Sequence, residues 1–207
     1  MLNKVLKILF VISIFLLIIF GNFKLYSLNF NFYKKEFLKL NIYDKIPEAD
    51  KHVLNLINYF KDKEELNNFF NEKEKLHLRD VKNLINIAFI IFYISLILFL
   101  IILIYFIYKK EYLIIKSSLM ISSVIVIFLL LLSTLINFDS FFINFHKIFF
   151  NNNLWLLNPE TDNLINLFPE QFFYDISLKI WVNSLLTSLF LMITSYFALN
   201  KRFLNKH

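Results

Sequence analysis

Residues 84–108, LINIAFIIFYISLILFLIILIYFIY, are twenty-five consecutive positions with no charged side chain, glycine or proline. A helix of that length, at about 1.5 Å per residue, more than covers the roughly 30 Å hydrocarbon core of a bilayer. Working outward, three further apolar runs stand at residues 5–21, 113–136 and 176–199. The chain of 207 residues is 58% hydrophobic and 19% aromatic, with a mean hydropathy of +0.59. That exceeds what a soluble domain of this size can hide in its interior. The expected fold is a mainly α membrane protein of four transmembrane helices, with residues 1–207 forming one domain.

The flanks of the runs give orientation. Lys4 and Lys7 precede the first, Lys109 and Lys110 separate the second and third, and Lys201, Arg202 and Lys206 follow the fourth. Positive charge in short flanks is retained on the cytoplasmic side, so both termini are expected there, with segments 22–83 and 137–175 outside. The first run lacks a small-x-small cleavage pattern in Gly21, Asn22, Phe23 and Lys24, and reads as an uncleaved signal anchor. The net charge of +6 is divided between retention signals and a mixed-charge outer region, which gives no case for nucleic-acid binding. With no cysteine, neither a disulfide framework nor a thiolate nucleophile is available. One glycine cannot build a phosphate-cradling loop. Abundant Ile, Phe, Asn and Lys fit an AT-rich bacterial genome.

Within the first outer segment, the alternation of Leu28, Phe30 and Phe32, followed by Phe37, Leu38, Leu40 and Ile42, predicts one or two short strands and hence a small α+β extracytoplasmic cap. Pro47 and Glu48 open a helix whose apolar positions are Val53, Leu56, Ile57 and Phe60. A second helix begins near Asn71 and runs on into the 84–108 span. In the other outer segment, Asn158-Pro159-Glu160-Thr161-Asp162 reads as a helix start, and Leu164, Ile165, Leu167 and Phe168 as the apolar side of a short helix ended by Pro169. Trp155, Phe168, Phe172 and Phe173 are expected in an interfacial aromatic belt. Lys116 and Lys179 lie where a lysine stem reaches the head groups.

Two histidines sit just outside apolar runs on what should be the same membrane face: His77 in Glu74-Lys75-Leu76-His77-Leu78-Arg79-Asp80-Val81-Lys82, and His146 in Phe145-His146-Lys147-Ile148-Phe149-Phe150. On a helix, Glu74 and Asp80 each lie about one turn from His77. A carboxylate on one ring nitrogen would fix the tautomer and strengthen the other nitrogen as a base. A solvated, mixed-charge helix face is the bland alternative. His146 lies among Phe141, Phe142, Phe145, Ile148, Phe149 and Phe150, where an imidazole needs a hydrogen-bond partner unless it rests at the interface. Three uses stay open at this point: an acid/base pair, a zinc site drawing on His77, His146, Glu74 and Asp80 as in a membrane hydrolase, or a pH-responsive pair in a non-enzymatic assembly or sensor protein. No His-Glu-x-x-His pattern supports metal, and none is assigned. His52 and His207 have no supporting residues.

At these two stretches the chain resembles the lipoprotein intramolecular transacylases of low-GC Gram-positive bacteria. The likeness runs from Phe70 through Asp80-Val81-Lys82, and from Phe145-His146 through Trp155, Asp162, Leu164-Ile165 and Phe168-Pro169-Glu170. It departs at Phe173 and at the asparagine-rich Asn151, Asn152 and Asn153. The resemblance implies an acyltransferase of the bacterial cell membrane acting at its outer face. Such an enzyme moves an acyl chain from the diacylglyceryl group of a lipoprotein's N-terminal cysteine to its α-amino group, giving the lyso form. Its partners would be that lipoprotein N-terminus and membrane lipid, with no cofactor. His77 and His146 would be catalytic, one taking the amine proton while the other donates to the ester oxygen. Glu74 or Asp80 would orient His77, and Lys82 or Lys147 would help hold oxyanion charge.

Overall fold

The computed structural model describes residues 2–204, with side chains described as far as Phe197. Lys206 and His207 lie outside the described residues, and the side chains of Lys201 and Arg202 are not described. The elements run α1 (Leu2–Ser27), α2 (Phe30–Lys39), α3 (Ile42–Lys45), α4 (Ala49–Phe60), α5 (Glu72–Tyr108), α6 (Tyr112–Ser133), α7 (Phe138–Phe149), α8 (Asn163–Leu167) and α9 (Glu170–Leu204). Four of them, α1, α5, α6 and α9, are long and apolar enough among the described residues to cross a bilayer. The chain divides into two compact units.

The first unit holds residues up to Lys24, Ala88–Ile136 and the chain from Ile180 onward. Its core is built from positions four apart, which fall on one face of each helix. They are Phe10, Ile14 and Ile18 of α1, Ile102 and Phe106 of α5, and Val126 and Leu130 of α6. Phe10 stacks on Phe99 at 5.3 Å and meets Phe106 edge-on at 5.7 Å. Buried serines 13, 118, 122, 184 and 188 let backbones approach, as small residues do between helices in lipid. Ser122 illustrates this by donating to the Val11 carbonyl of a neighbouring helix at 3.0 Å. Ile94, Ile97, Ile101 and Ile104 of α5 remain exposed along one stripe, the apolar surface expected of a face turned to lipid. The α5–α6 connection is tight because Lys110 adopts a left-handed φ of 56°, while the Glu111 and Lys110 N–H groups return to the Phe106 and Ile107 carbonyls. That is a Schellman closure with lysine where glycine is usual.

The second unit comprises Leu25–Ile87 and Asn137–Lys179. The predicted strands are absent among its described residues, so the cap is helical and the α+β expectation is corrected. Residues 28–42 form α2 and α3 instead. Asn29 caps α2, its side-chain oxygen accepting the Phe32 N–H at 3.0 Å, and the buried side chains Tyr33 and Phe37 are spaced i, i+4. A three-residue alternation is compatible with either period, and the local cap decides between them. α4 buries Val53, Leu56, Ile57 and Phe60. Phe168 and Phe172 join Tyr33 and Phe37 in a buried aromatic cluster, with Tyr33 and Phe172 stacked at 5.1 Å. These two phenylalanines are therefore core residues and not members of an exposed belt. The Lys39 ammonium closes this unit by pairing with Asp175 at 2.6 Å.

Candidate active site

Both singled-out histidines lie in the second unit. His77 stands in the first turns of α5, ahead of the 84–108 run, and His146 in the last turn of α7. Their ring centroids are 6.2 Å apart with the planes 31° from parallel. His77 Nδ1 has no hydrogen-bond partner and His146 Nδ1 is taken by the Phe142 carbonyl, so these two nitrogens are not bonded to each other. One small reacting centre could still touch both.

His146 is 9% exposed and boxed by aromatic rings: Phe142 at 4.4 Å, Trp155 at 4.9 Å and Phe150 at 5.5 Å. Its Nδ1 lies 2.7 Å from the Phe142 carbonyl oxygen. A carbonyl accepts only, so Nδ1 carries the proton and Nε2 keeps its lone pair in the neutral ring. His77 is 6% exposed, with Phe150 edge-on to its ring at 5.1 Å. Its Nδ1 is buried without a hydrogen-bond partner. An orphaned buried donor is rarer in proteins than an under-used acceptor, which favours a bare Nδ1 and a proton on Nε2. The two rings are thus complementary: one offers a lone pair and the other an N–H.

Burial lowers the pKa of both groups. For His77 desolvation leads, the neighbouring His146 adds to it and Asp80 opposes it, leaving the group at about 4. For His146 desolvation also leads, partly offset by the Phe142 carbonyl. Both rings are consequently neutral at pH 7. The unfolded chain takes up a proton at His77 near pH 6.5 while the folded protein waits until about 4, so stability is full above the upper value and lost as pH falls between them. At about 1.4 kcal/mol per pKa unit, the loss is on the order of 3 kcal/mol. Thermal unfolding of His77→Gln in detergent should show a shallower acid slope than the parent over that window. Parallel slopes would contradict a buried neutral His77.

The start of α5 is fixed by polar contacts. The Asn71 side-chain oxygen accepts the Glu74 N–H at 2.9 Å, and Glu74 Oε2 accepts the Asn71 N–H at 2.6 Å, a reciprocal capping box. Glu74 Oε1 also accepts the Leu164 N–H. Burial raises the Glu74 carboxyl, against the lowering effect of the Leu164 and Asn71 N–H groups. Asp162 accepts from Asn71 Nδ2 at 2.8 Å and from the Asn158 N–H at 2.8 Å. The segment around 158–164 is therefore laced to the turn that precedes His77.

The other predicted supporting residues are placed as follows. Asp80 accepts from Asn152 Nδ2 at 2.9 Å and reaches His77 only through its charge. Lys82 pairs with Asp62 at 2.7 Å and lies over the Tyr59 ring at 4.1 Å. Lys147 lines an open groove of about 650 Å³ together with Ile143, Phe150, Trp155, Leu156 and asparagines 151 to 153. His52 stacks on Phe69 at 3.7 Å. No three His, Cys, Asp or Glu side chains converge among the described residues. Sequence reasoning passed over Asn71, Asp162 as an anchor, and Trp155 as a wall of the His146 box. Asn71-x-x-Glu74 carried a capping-box signal, whereas Trp155 meets His146 only through the fold.

The fold and site are those of a helical membrane protein that holds two buried imidazoles close together. The chain is a member of the lipoprotein intramolecular transacylase family, whose profile, "Lipoprotein intramolecular transacylase Lit", matches residues 8–173, and it is accordingly an acyltransferase. Its fold is that of the transacylase Lit from Bacillus cereus, 22% identical, with a TM-score of 0.78 over 98% of each chain. A histidine-to-alanine variant of the same Bacillus cereus protein aligns with a TM-score of 0.79 at 24% identity, over 98% of this chain and 96% of that one. A search of curated proteins gives no match.

Proposed function

We propose that this protein transfers an acyl chain, within one substrate molecule, from the diacylglyceryl group of a lipoprotein's N-terminal cysteine to that cysteine's α-amino group. The observation that carries this reading is the 2.7 Å approach of His146 Nδ1 to the Phe142 carbonyl, which implies a bare Nε2, in a ring whose centroid lies 6.2 Å from that of His77. The neutral amine attacks the ester carbonyl carbon, forming the C–N bond, and its surplus proton passes to His146 Nε2. The carbonyl oxygen becomes an oxyanion and accepts a hydrogen bond from His77 Nε2–H, which keeps its proton. Collapse breaks the bond to the glycerol oxygen, and the imidazolium of His146 returns the proton to that alkoxide. Product amide and free hydroxyl leave both rings as they began. Because amine and ester share one molecule, holding them together supplies much of the rate. A neutral imidazole is a suitable donor here, since it polarises the oxygen without becoming charged.

Glu74 and Asp162 act as positioning residues through the start of α5. Lys82, held by Asp62, is assigned no part in the chemistry. The test is mass spectrometry of a synthetic diacylated lipopeptide incubated with purified protein. Conversion to an isomer of equal mass bearing N-acyl cysteine is expected, and an unchanged ester would reject the reading.

The same proposal holds both termini in the cytoplasm and residues 22–83 and 137–175 outside, on the charge of Lys4, Lys7, Lys109 and Lys110. The chain has no cysteine, so single cysteines report without background. In intact cells, Asn153→Cys should react with an impermeant maleimide, and Lys110→Cys only after permeabilisation. The reverse pattern would invert the topology.

A further inference from the structure

The open groove that shares Phe150 and Trp155 with the His146 box has a use that the proton-transfer chemistry leaves unassigned. From its lining we infer that it binds the backbone of the substrate peptide immediately after the lipidated cysteine. This rests on the proposed acyl transfer and names the part of the substrate that the groove recognises.

Three observations carry it. First, the groove adjoins the site: Trp155 and Phe150, which line it, also pack against His146 with ring centroids at 4.9 Å and 5.5 Å, so the two share a wall. Second, the lining is mixed. Lys147, Asn151, Asn152 and Asn153 stand with Ile143, Phe150, Trp155 and Leu156 around a space of about 650 Å³, within the range of roughly 300–1,000 Å³ for ligand sites. An acyl chain would strip water from three amides and an ammonium and return no hydrogen bond, a cost that disfavours it. A peptide backbone offers one donor and one acceptor per residue, and each asparagine amide offers both in return. Third, Asn152 is already fixed, donating to Asp80 at 2.9 Å and accepting the Leu154 N–H at 3.1 Å. Asn151 and Asn153 are exposed, and their side-chain amides make no hydrogen bond within the chain among the described residues. Amide-to-backbone pairing reads main chain and ignores side chains, so the groove would accept peptides of different sequence behind a common cysteine.

The experiment compares two substrates on purified full-length protein: diacylglyceryl-cysteine amide, with no following residue, and a diacylated lipopeptide with four. For Asn151→Leu/Asn153→Leu, kcat/KM on the lipopeptide should fall about tenfold, the equivalent of one to two peptide hydrogen bonds, while the short substrate is turned over as by the parent. A benzophenone at the second peptide residue should crosslink within 147–156. Equal losses on both substrates, no loss on either, or crosslinks elsewhere would overturn the assignment. Failure of the parent protein on both substrates would instead reject the acyl-transfer reading beneath it.

Discussion

Replacing His146 with alanine is expected to cut formation of the N-acylated lyso product by about 10²–10⁴-fold, the usual worth of a positioned general base, while the protein still accumulates in the membrane. His77→Ala should cost about 10²–10³-fold, the worth of one oxyanion donor. The alanine variants alone do not separate the roles, because both remove an imidazole from a shared site. Glutamine does. Its amide N–H can stand in for a neutral donor, so His77→Gln should recover a measurable part of the activity that His77→Ala loses. No amide serves as a base at neutral pH, so His146→Gln should be as inactive as His146→Ala. Phe142 enters this argument through its backbone, since its carbonyl at 2.7 Å selects the tautomer of His146. Wild-type turnover by either alanine variant would rule out the pair. Equal recovery by both glutamine variants would reject the division of labour between them.

What could be read from the sequence followed physical range. The long apolar runs are local, continuous and far beyond the length a soluble core tolerates, so all four span helices were legible. The start of α5 near Asn71 was legible too, and Asn71-x-x-Glu74 carried a local capping pattern that went unused. Two carboxylates one turn from His77 invited the reading that they orient its ring. In the structure Glu74 accepts backbone N–H groups, one of them from Leu164, ninety positions away. The strand expectation at 28–42 failed because three alternating apolar residues leave the period undecided, and Asn29 settled it locally by capping a helix. The belt expectation failed for a different reason. Phe168 and Phe172 are buried by Tyr33 and Phe37 of α2, a pairing that no single-segment periodicity encodes. The closeness of His77 and His146 is equally non-local, and it followed only from placing both segments on one membrane face.

Glu74→Ala is expected to lower both stability and turnover, and the manner of the loss distinguishes an anchor from a partner of His77. The substitution leaves the Asn71 and Leu164 N–H groups facing a buried space without an acceptor, at about 1–3 kcal/mol each, so a loss on the order of 3 kcal/mol in unfolding free energy follows. It also removes one of the ties between the first turn of α5 and the 158–164 segment, leaving the Asn71–Asp162 bond, and His77 lies one turn further on. Misplacing a catalytic group by about 1 Å costs on the order of 10²-fold, so activity should fall further than the folded fraction explains. Glu74→Gln keeps one acceptor oxygen but presents an amide N–H to the second backbone donor, which places it between parent and alanine in both measurements. The His77 titration supplies the decisive readout. Its lowered pKa follows from burial and from His146, opposed by Asp80, and Glu74 is not among its causes. An anchoring Glu74 therefore predicts that NMR of labelled histidine in Glu74→Gln finds His77 titrating where the parent does. A carboxylate acting directly on the ring predicts a displaced His77 pKa, with activity lost in Glu74→Gln as fully as in Glu74→Ala and little change in stability.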